Sequence, residues 1–204
     1  MTITIDYYAG IASPWTYLGH ERICNLAKKY QAELIFKPVD FGIVFDATGG
    51  LPLPKRSIQR QNYRLQEMKR WRDELSLPLT LKPEFLPIPN TEAALMVIAA
   101  GNMGDDNLKL AGAFLTAVWA NEVDITTPEK LAETASAAGF DGQRLLKECS
   151  SSELKSQYKS YATEAIDRGV FGAPSYVIGD DIFWGQDRLH FVEKKLKESS
   201  NNDT

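Results

Sequence analysis

Strand-forming sequence stands only near the two ends of this 204-residue chain, and this separation restricts the possible folds more than any other feature. Residues 3–8 and 33–39 are runs of β-branched and aromatic side chains, which are typical of strands. Between them, apolar residues recur at helical spacing from Pro14 to about Tyr30. The pattern predicts a β-α-β unit with a parallel strand pair and a right-handed crossover.

The C-terminal end predicts a hairpin and a helix. Residues 174–178 form an apolar run, residues 179–181 (GDD) give a turn, and the apolar run resumes at Ile182. Asp187 is predicted to cap a final helix that runs through Leu196.

The middle of the chain predicts helices alone. A loop with several glycines and prolines at residues 49–56 precedes apolar spacings that predict helices over 58–75, 91–98, 108–120, from 127, 141–149 and 154–168. We therefore predict an α/β fold in which one domain, residues 1–40 and 170–204, is interrupted by a helical insertion domain, residues 41–169.

Composition excludes several classes of protein. The net charge is −4, so no basic surface for nucleic acid is indicated, and no apolar run reaches the length of about 20 residues that crosses a membrane. The N-terminus lacks the basic start and the cleavage site of a signal peptide. Cys24 and Cys149 are far apart, and we expect two buried reduced thiols in a cytoplasmic protein.

Residues 13–16 (SPWT), at the end of the first strand and the start of the first helix, carry the first chemical signal. Thioredoxin-like redox proteins have Cys-Pro-x-Cys at this place, where the helix N-terminus favours a thiolate. Ser13 and Thr16 cannot exchange disulfides. What remains is an anion site with a hydroxyl donor, which suits a thiolate brought by a ligand. The alternative is that Ser13 is only a helix N-cap.

Two later segments carry the other signals. In a thioredoxin-like frame the proline of residues 169–175 (GVFGAPS) is cis and leaves the peptide groups of Ala173 free to pair with an extended peptide. The alternative is an ordinary strand start. In residues 183–189 (FWGQDRL), backbone N–H groups after Gly185 can bind a carboxylate and Asp187 can bind an ammonium group. The γ-glutamyl end of glutathione carries both groups, although Asp187 could serve only as a cap.

These three segments, in this order, resemble the 2-hydroxychromene-2-carboxylate isomerases and kappa-class glutathione transferases, of the DsbA-like thioredoxin branch. The resemblance covers nearly the full chain and includes Trp119, Asp124 and Ile125. It implies a thioredoxin-like fold with a large helical insertion, glutathione as cofactor, a small-molecule electrophile or aromatic-pathway substrate, and a homodimer.

The resemblance also implies roles for individual residues. Ser13 would be catalytic and contact the glutathione sulfur, while Ala173 and Pro174 would face the cysteinyl backbone. The other glutathione contacts would be Trp184, Gly185, Gln186, Asp187 and Lys55, and the substrate contacts would be Tyr8 and Asn90. No metal site is expected, because His20 and His190 have no metal-ligand spacing.

One departure from the family concerns the loop before the prolines. Many members have Gly-Asn there, and that asparagine reaches glutathione, whereas this chain has Gly49 and Gly50. Lys55 or Arg56 could meet the glycyl carboxylate instead, or could be solvated loop residues. The basic residues from Arg60 to Arg72 are interpreted as a solvated helix face.

The function indicated is a glutathione-dependent isomerase that acts on an intermediate of aromatic degradation through a thiolate held by Ser13. The alternatives are a kappa-like glutathione transferase or peroxidase and a non-catalytic glutathione-binding module. A disulfide oxidoreductase is disfavoured because both motif cysteines are absent.

Overall fold

A computed structural model describes residues 2–85 and 91–201, with the side chains of residues 200 and 201 left out. Its four-stranded sheet has the order β2-β1-β3-β4, formed by Glu33–Pro38, Thr4–Ala9, Ser175–Ile178 and Asp181–Trp184. Strands β1 and β2 are parallel, and β3 pairs antiparallel with both β1 and β4. The predicted β-α-β unit and C-terminal hairpin are therefore confirmed.

The helices follow the predicted distribution along the chain. They are α1 (Pro14–Lys29), α2 (Phe41–Thr48), α3 (Ile58–Leu75), α4 (Thr91–Asn102), α5 (Asn107–Trp119), α6 (Pro128–Ala137), α7 (Gly142–Glu148), α8 (Ser152–Asp167) and α9 (Leu189–Asn201). Short 3₁₀ turns occur at Leu53–Lys55 and Gln186–Arg188. No strand lies in the described part of residues 41–169, whereas the exact domain limits stay a prediction.

Helix α2 was not predicted. Its residues 41–45 are nearly all apolar, so they lack the polar face that identifies an amphipathic helix. The helix has ordinary ends nonetheless: the Asp40 carboxylate accepts a hydrogen bond from the Gly42 N–H at 2.8 Å, and Gly49 is left-handed with φ of 77°.

Helix α8 packs against the sheet, so the helical segment and the strands share buried surface. Ala162 and Ala165 belong to a buried cluster with Tyr8 of β1 and Val177 of β3. A larger cluster joins the rest of the sheet to α1, α4 and α5. Burial of apolar surface on this scale is the main stabilising contribution in a domain of this size.

A half-buried ionic group reinforces the contact between α8 and the sheet. The Lys37 ammonium lies 2.7 Å from Asp6 and 2.5 Å from Glu164, and the Tyr8 hydroxyl donates to Glu164 at 2.7 Å. Removing one partner of such a group leaves an uncompensated charge, which costs about 3–5 kcal/mol when the site is buried.

Neither cysteine has the environment of a reactive thiol. Cys24 and Cys149 are both free and half-buried rather than fully buried as expected. Burial raises the pKa of each thiol to about 11, so both are protonated at neutral pH. Among the helices of the described residues, none combines the length and apolar character needed to span a bilayer.

Candidate functional site

Ser13 lies at the N-terminus of α1, in extended backbone with φ of −84° and ψ of 124°. Its hydroxyl oxygen accepts a hydrogen bond from the Thr16 N–H at 3.3 Å, and Pro14 occupies the first helical position. Ser13 is thus the predicted N-cap. Capping uses a lone pair and leaves the hydroxyl proton, which has no acceptor among the residues that the structure describes. A half-exposed donor therefore remains at the positive end of the helix dipole.

Thr16, at the second cysteine position of the redox motif, is closed to solvent. Its side chain is fully buried, and its hydroxyl oxygen has no hydrogen-bond partner in the part of the chain that the structure describes. Only the first of the two motif positions is therefore open to a ligand.

The loop before β3 presents free peptide groups. The Ala173–Pro174 peptide bond is cis, as the thioredoxin-like frame predicted. Ala173 is half-buried, and neither its N–H nor its carbonyl bonds to another group in residues 2–85 and 91–201. The Pro174 carbonyl, in contrast, accepts the Gly185 N–H at 2.8 Å. Ala173 thus offers the donor and acceptor pair that an extended peptide backbone can use.

Trp184 forms an aromatic wall beside this loop. Its side chain is 51% exposed, and its ring meets that of Phe171 edge to face at 4.8 Å between centroids. A Cβ at Gly172 would lie 2.4 Å from the Trp184 Nε1 atom, so the close approach of loop and indole requires glycine there.

The segment after Trp184 turns sharply and exposes a carboxylate. Gly185 has a φ of 106°, a conformation that side chains rarely adopt, and is followed by the 3₁₀ turn Gln186–Arg188. The Asp187 carboxylate pairs with Arg188 at 2.5 Å and remains partly exposed. The prediction that Asp187 caps the last helix was wrong, because its carboxylate bonds to Arg188 and α9 begins only at Leu189.

Arg22 of α1 holds this segment in place, although sequence analysis did not select this residue. Its guanidinium donates from Nη1 to the side-chain oxygen of Gln186 at 2.6 Å and to the Gln186 carbonyl at 3.2 Å. Gln186 is only 2% exposed. A Cβ at Gly19 would lie 2.8 Å from the Gln186 Cβ, so glycine permits the contact. A glycine inside a helix often has such a packing reason, so Gly19 could have indicated a close neighbour at this turn of α1, although not that the neighbour is Gln186.

Of the remaining predicted site residues, Tyr8 pairs in the sheet with Ser175, directly after the cis proline, and Lys55 forms no hydrogen bond or ion pair with this cluster in residues 2–85 and 91–201. Tyr8 is fully buried with its hydroxyl on Glu164, so it exposes no surface to a substrate in this conformation. Lys55 is exposed in the first 3₁₀ turn, and Asn90 lies outside the described residues. The roles of all three stay predictions.

The presence of Gly50, where many members of the family have asparagine, has a steric reason. A Cβ at this position would lie 2.3 Å from the Phe45 ring. An asparagine there would displace Phe45, so the loop of this chain is built around a glycine.

Comparison with known proteins places this geometry in a family. The model of the DSBA-like thioredoxin domain matches residues 4–197. A 2-hydroxychromene-2-carboxylate isomerase of Sphingobium xenophagum is 31% identical over 201 residues, covering 96% of this chain and 99% of that protein. Human glutathione S-transferase kappa 1 is 25% identical, with 96% and 91% covered.

Solved structures agree on the fold. A 2-hydroxychromene-2-carboxylate isomerase superposes with a TM-score of 0.83 at 22% identity, covering 98% of each chain. The cytosolic disulfide reductase DsbM of Pseudomonas aeruginosa, solved with GSH, superposes with a TM-score of 0.70 at 13% identity, covering 96% of this chain and 100% of DsbM. The predicted α/β thioredoxin-like fold with its helical middle is confirmed.

Proposed function

We propose that this chain, which belongs to the DSBA-like thioredoxin family, is a glutathione-dependent isomerase. Within that family it belongs with the 2-hydroxychromene-2-carboxylate isomerases and the kappa-class glutathione transferases, and the activity we propose is that of the isomerases. Its substrate would be an intermediate of aromatic degradation. The observation that carries the proposal is the hydroxyl proton of Ser13 at the start of α1, which has no acceptor among the described residues. The family resemblance further implies a cytoplasmic homodimer, which is part of the same proposal.

The groups around Ser13 fit the chemical parts of glutathione. The unpaired peptide groups of Ala173 suit the cysteinyl backbone, and the partly exposed carboxylate of Asp187 suits the γ-glutamyl ammonium group. Pro174, Trp184, Gly185 and Gln186 complete this side of the site. Lys55, which is exposed, would meet the glycyl carboxylate.

Glutathione supplies a thiolate that can add reversibly to a conjugated double bond, so that the bond can rotate before the same thiolate leaves. Ser13 would donate a hydrogen bond to the sulfur and so favour its ionised form over the thiol. The helix N-terminus acts in the same direction. Each unit by which the thiol pKa falls corresponds to about 1.4 kcal/mol.

Ser13 serves this chemistry as an alcohol and not as a nucleophile. In the part of the chain that the structure describes, no histidine bonds to it; His20 instead contacts the Leu108 carbonyl at 2.9 Å and the Tyr7 hydroxyl at 3.4 Å. A serine without a paired base stays protonated. A kappa-like transferase would use the same groups on a different electrophile, and the 25% identity to human kappa 1 supports it as the second candidate.

The test is Ser13→Ala, with Ser151→Ala as the matched control. Ser151 caps α8 by accepting the Leu154 N–H at 3.3 Å, the distance found at Ser13. Each change should cost about 1 kcal/mol of stability through the lost cap. Only Ser13→Ala should raise the glutathione thiol pKa in the complex and lower turnover at neutral pH, with part of the turnover returning at higher pH.

The measurement is a thiolate absorbance titration of each glutathione complex beside a pH–rate profile. Glutathione affinity should change little in Ser13→Ala, because the other contacts remain. A thiol pKa that is the same in wild type, Ser13→Ala and Ser151→Ala, together with equal turnover, would reduce Ser13 to a cap and remove the proposal.

A further inference from the structure

Helix α3 carries a half-buried arginine that has no counter-ion. The sequence predicted a solvated basic face from Arg60 to Arg72, and Arg64 departs from it. Its guanidinium carbon lies 5.9 Å from the centre of the Trp119 ring, and within residues 2–85 and 91–201 it forms no ion pair. Burial, together with the nearby Arg56, lowers the pKa of Arg64 to about 10, so the side chain is charged at neutral pH. A partly buried charge without a partner is unfavourable until an anion binds.

The charged neighbour that acts on Arg64 is itself a cation, Arg56. Arg56 is half-buried, and its pKa is lowered by burial and by Arg60. We call Arg56, Arg60 and Arg64 the arginine cluster. The carboxylate of Glu67, one turn beyond Arg64, pairs with Arg70 instead. The whole chain has 27 acidic and 23 basic residues, so an overall excess of basic residues does not explain why three arginines gather here.

One series of contacts joins the arginine cluster to the loop before Ser13. A Cβ at Gly10 would lie 3.8 Å from the Ser13 Cβ and 3.7 Å from the Phe41 ring. Phe41 and Phe45 have ring centroids 5.9 Å apart, and the Arg56 guanidinium lies 5.9 Å from the Phe45 centroid.

A second series reaches Arg64 from the first turn of α1. The Tyr17 N–H donates to the Ser13 carbonyl at 3.0 Å, and the Tyr17 hydroxyl donates to the Pro78 carbonyl at 2.6 Å. Two residues further on, the Thr80 N–H donates to the carbonyl of Trp119, the residue beneath Arg64, at 2.7 Å. Both series connect the arginine cluster, through a few neighbouring residues, with the segment from Gly10 to Tyr17 that contains Ser13.

We propose that Arg64, held over Trp119, recognises a carboxylate group on the electrophilic substrate and so makes the enzyme selective for anionic electrophiles. A guanidinium is planar and can bind a carboxylate through two parallel hydrogen bonds. The assignment of this carboxylate to the electrophile rests on the proposed function. The glycyl carboxylate of glutathione is the other source of the same chemistry, and the experiment separates the two.

The first arm measures binding of 1-naphthoate and of its neutral analogue 1-naphthamide by calorimetry, without glutathione. Arg64→Gln should weaken naphthoate binding about ten- to hundredfold, the effect of losing a charge-assisted contact, and leave naphthamide within about twofold. Lys69→Gln is the control, because Lys69 is exposed on the same helix and the change in net charge is identical. Arg64→Lys should give an intermediate loss, because it keeps the charge and lacks the planar fork.

The second arm measures glutathione and γ-glutamylcysteine, which lacks the glycine. Both should bind Arg64→Gln as they bind wild type. If glutathione alone is weakened, Arg64 binds the glycyl carboxylate and the proposal is overturned. It is equally overturned if wild type does not bind naphthoate, or if naphthoate and naphthamide lose affinity together. Absence of glutathione binding alongside Arg64-dependent naphthoate binding would instead reject the proposed function and keep the anion site.

Folding of the variants is checked by thermal melts. Arg64→Gln removes a half-buried charge that has no counter-ion in the described residues, and it also removes the contact with the Trp119 ring, so its melting temperature should stay close to that of wild type. Naphthoate should raise the melting temperature of wild type and not that of Arg64→Gln, a difference that a purely structural arginine would not produce.

Discussion

Replacing Arg22 by methionine tests the contact that fixes residues 184–187 against α1. Methionine keeps much of the apolar stem and removes both hydrogen bonds to the buried Gln186. Loss of the charge-assisted bonds should cost about 1.5–3 kcal/mol, and loss of the contact with the Trp71 ring at 5.9 Å should cost about 0.5–1 kcal/mol. The free energy of unfolding should therefore fall by about 2–4 kcal/mol, which a domain with about 5–15 kcal/mol tolerates.

The assay is urea denaturation of four proteins: wild type, Arg22→Met, Gln186→Met and the double variant. The coupling energy between the two positions should be at least about 1 kcal/mol. Glutathione affinity should fall in Arg22→Met, because the segment that carries Asp187 loses its support. Lys28→Met, on an exposed position of α1, is the control and should change neither quantity. Additivity within about 0.5 kcal/mol, or unchanged glutathione affinity, would refute the positioning role.

Three further predictions concern single residues. Asp187→Asn should weaken glutathione binding by about 1.5–3 kcal/mol in calorimetry, and equal stabilisation of wild type by glutathione and by an analogue without the γ-glutamyl group would contradict it. Gly19→Ala should lower the midpoint of urea unfolding, because the new Cβ would lie 2.8 Å from the Tyr176 hydroxyl and the Gln186 Cβ; an unchanged midpoint would show that the turn can shift freely. Burial lowers the pKa of His20, so its contribution to stability is complete above its unfolded pKa of about 6.5 and is lost as the pH falls through the folded value. The stability slope below about pH 6.5 should therefore flatten in His20→Asn, and an unchanged slope would contradict the prediction.

Local sequence patterns were sufficient to predict the order of strands and helices and the start of α1 at Ser13. The alternation of strand and helix signals predicted the order of elements, and Ser13 before Pro14 predicted the cap that the structure contains. These features depend on neighbours in the chain. The exception is α2, whose apolar residues hide the helical period because both its packing face and its exposed face carry large hydrophobic side chains.

Contacts between distant segments could not be predicted in this way. Arg22 and Gln186 are 164 residues apart, and no local rule pairs one arginine with one glutamine. Arg64 looks like the other basic residues of α3 until α5 brings Trp119 beneath it. The capping role of Asp187 failed for a different reason, because the adjacent Arg188 pairs with its carboxylate and α9 begins only at Leu189.

The surroundings of Thr16 determine how easily a cysteine could replace it at the start of α1. The Thr16 hydroxyl is buried and forms no hydrogen bond with the described residues, so the requirement visible at this position is that a side chain fill the space. A thiol there would give up no hydrogen bond, and thiols are among the side chains that interiors accept most readily. A change of Thr16 to cysteine, which would supply the second cysteine of a dithiol motif, should therefore cost little stability and be accessible in evolution. The two positions where thioredoxin-like redox proteins have cysteines are Ser13 and Thr16 here, at the start of α1.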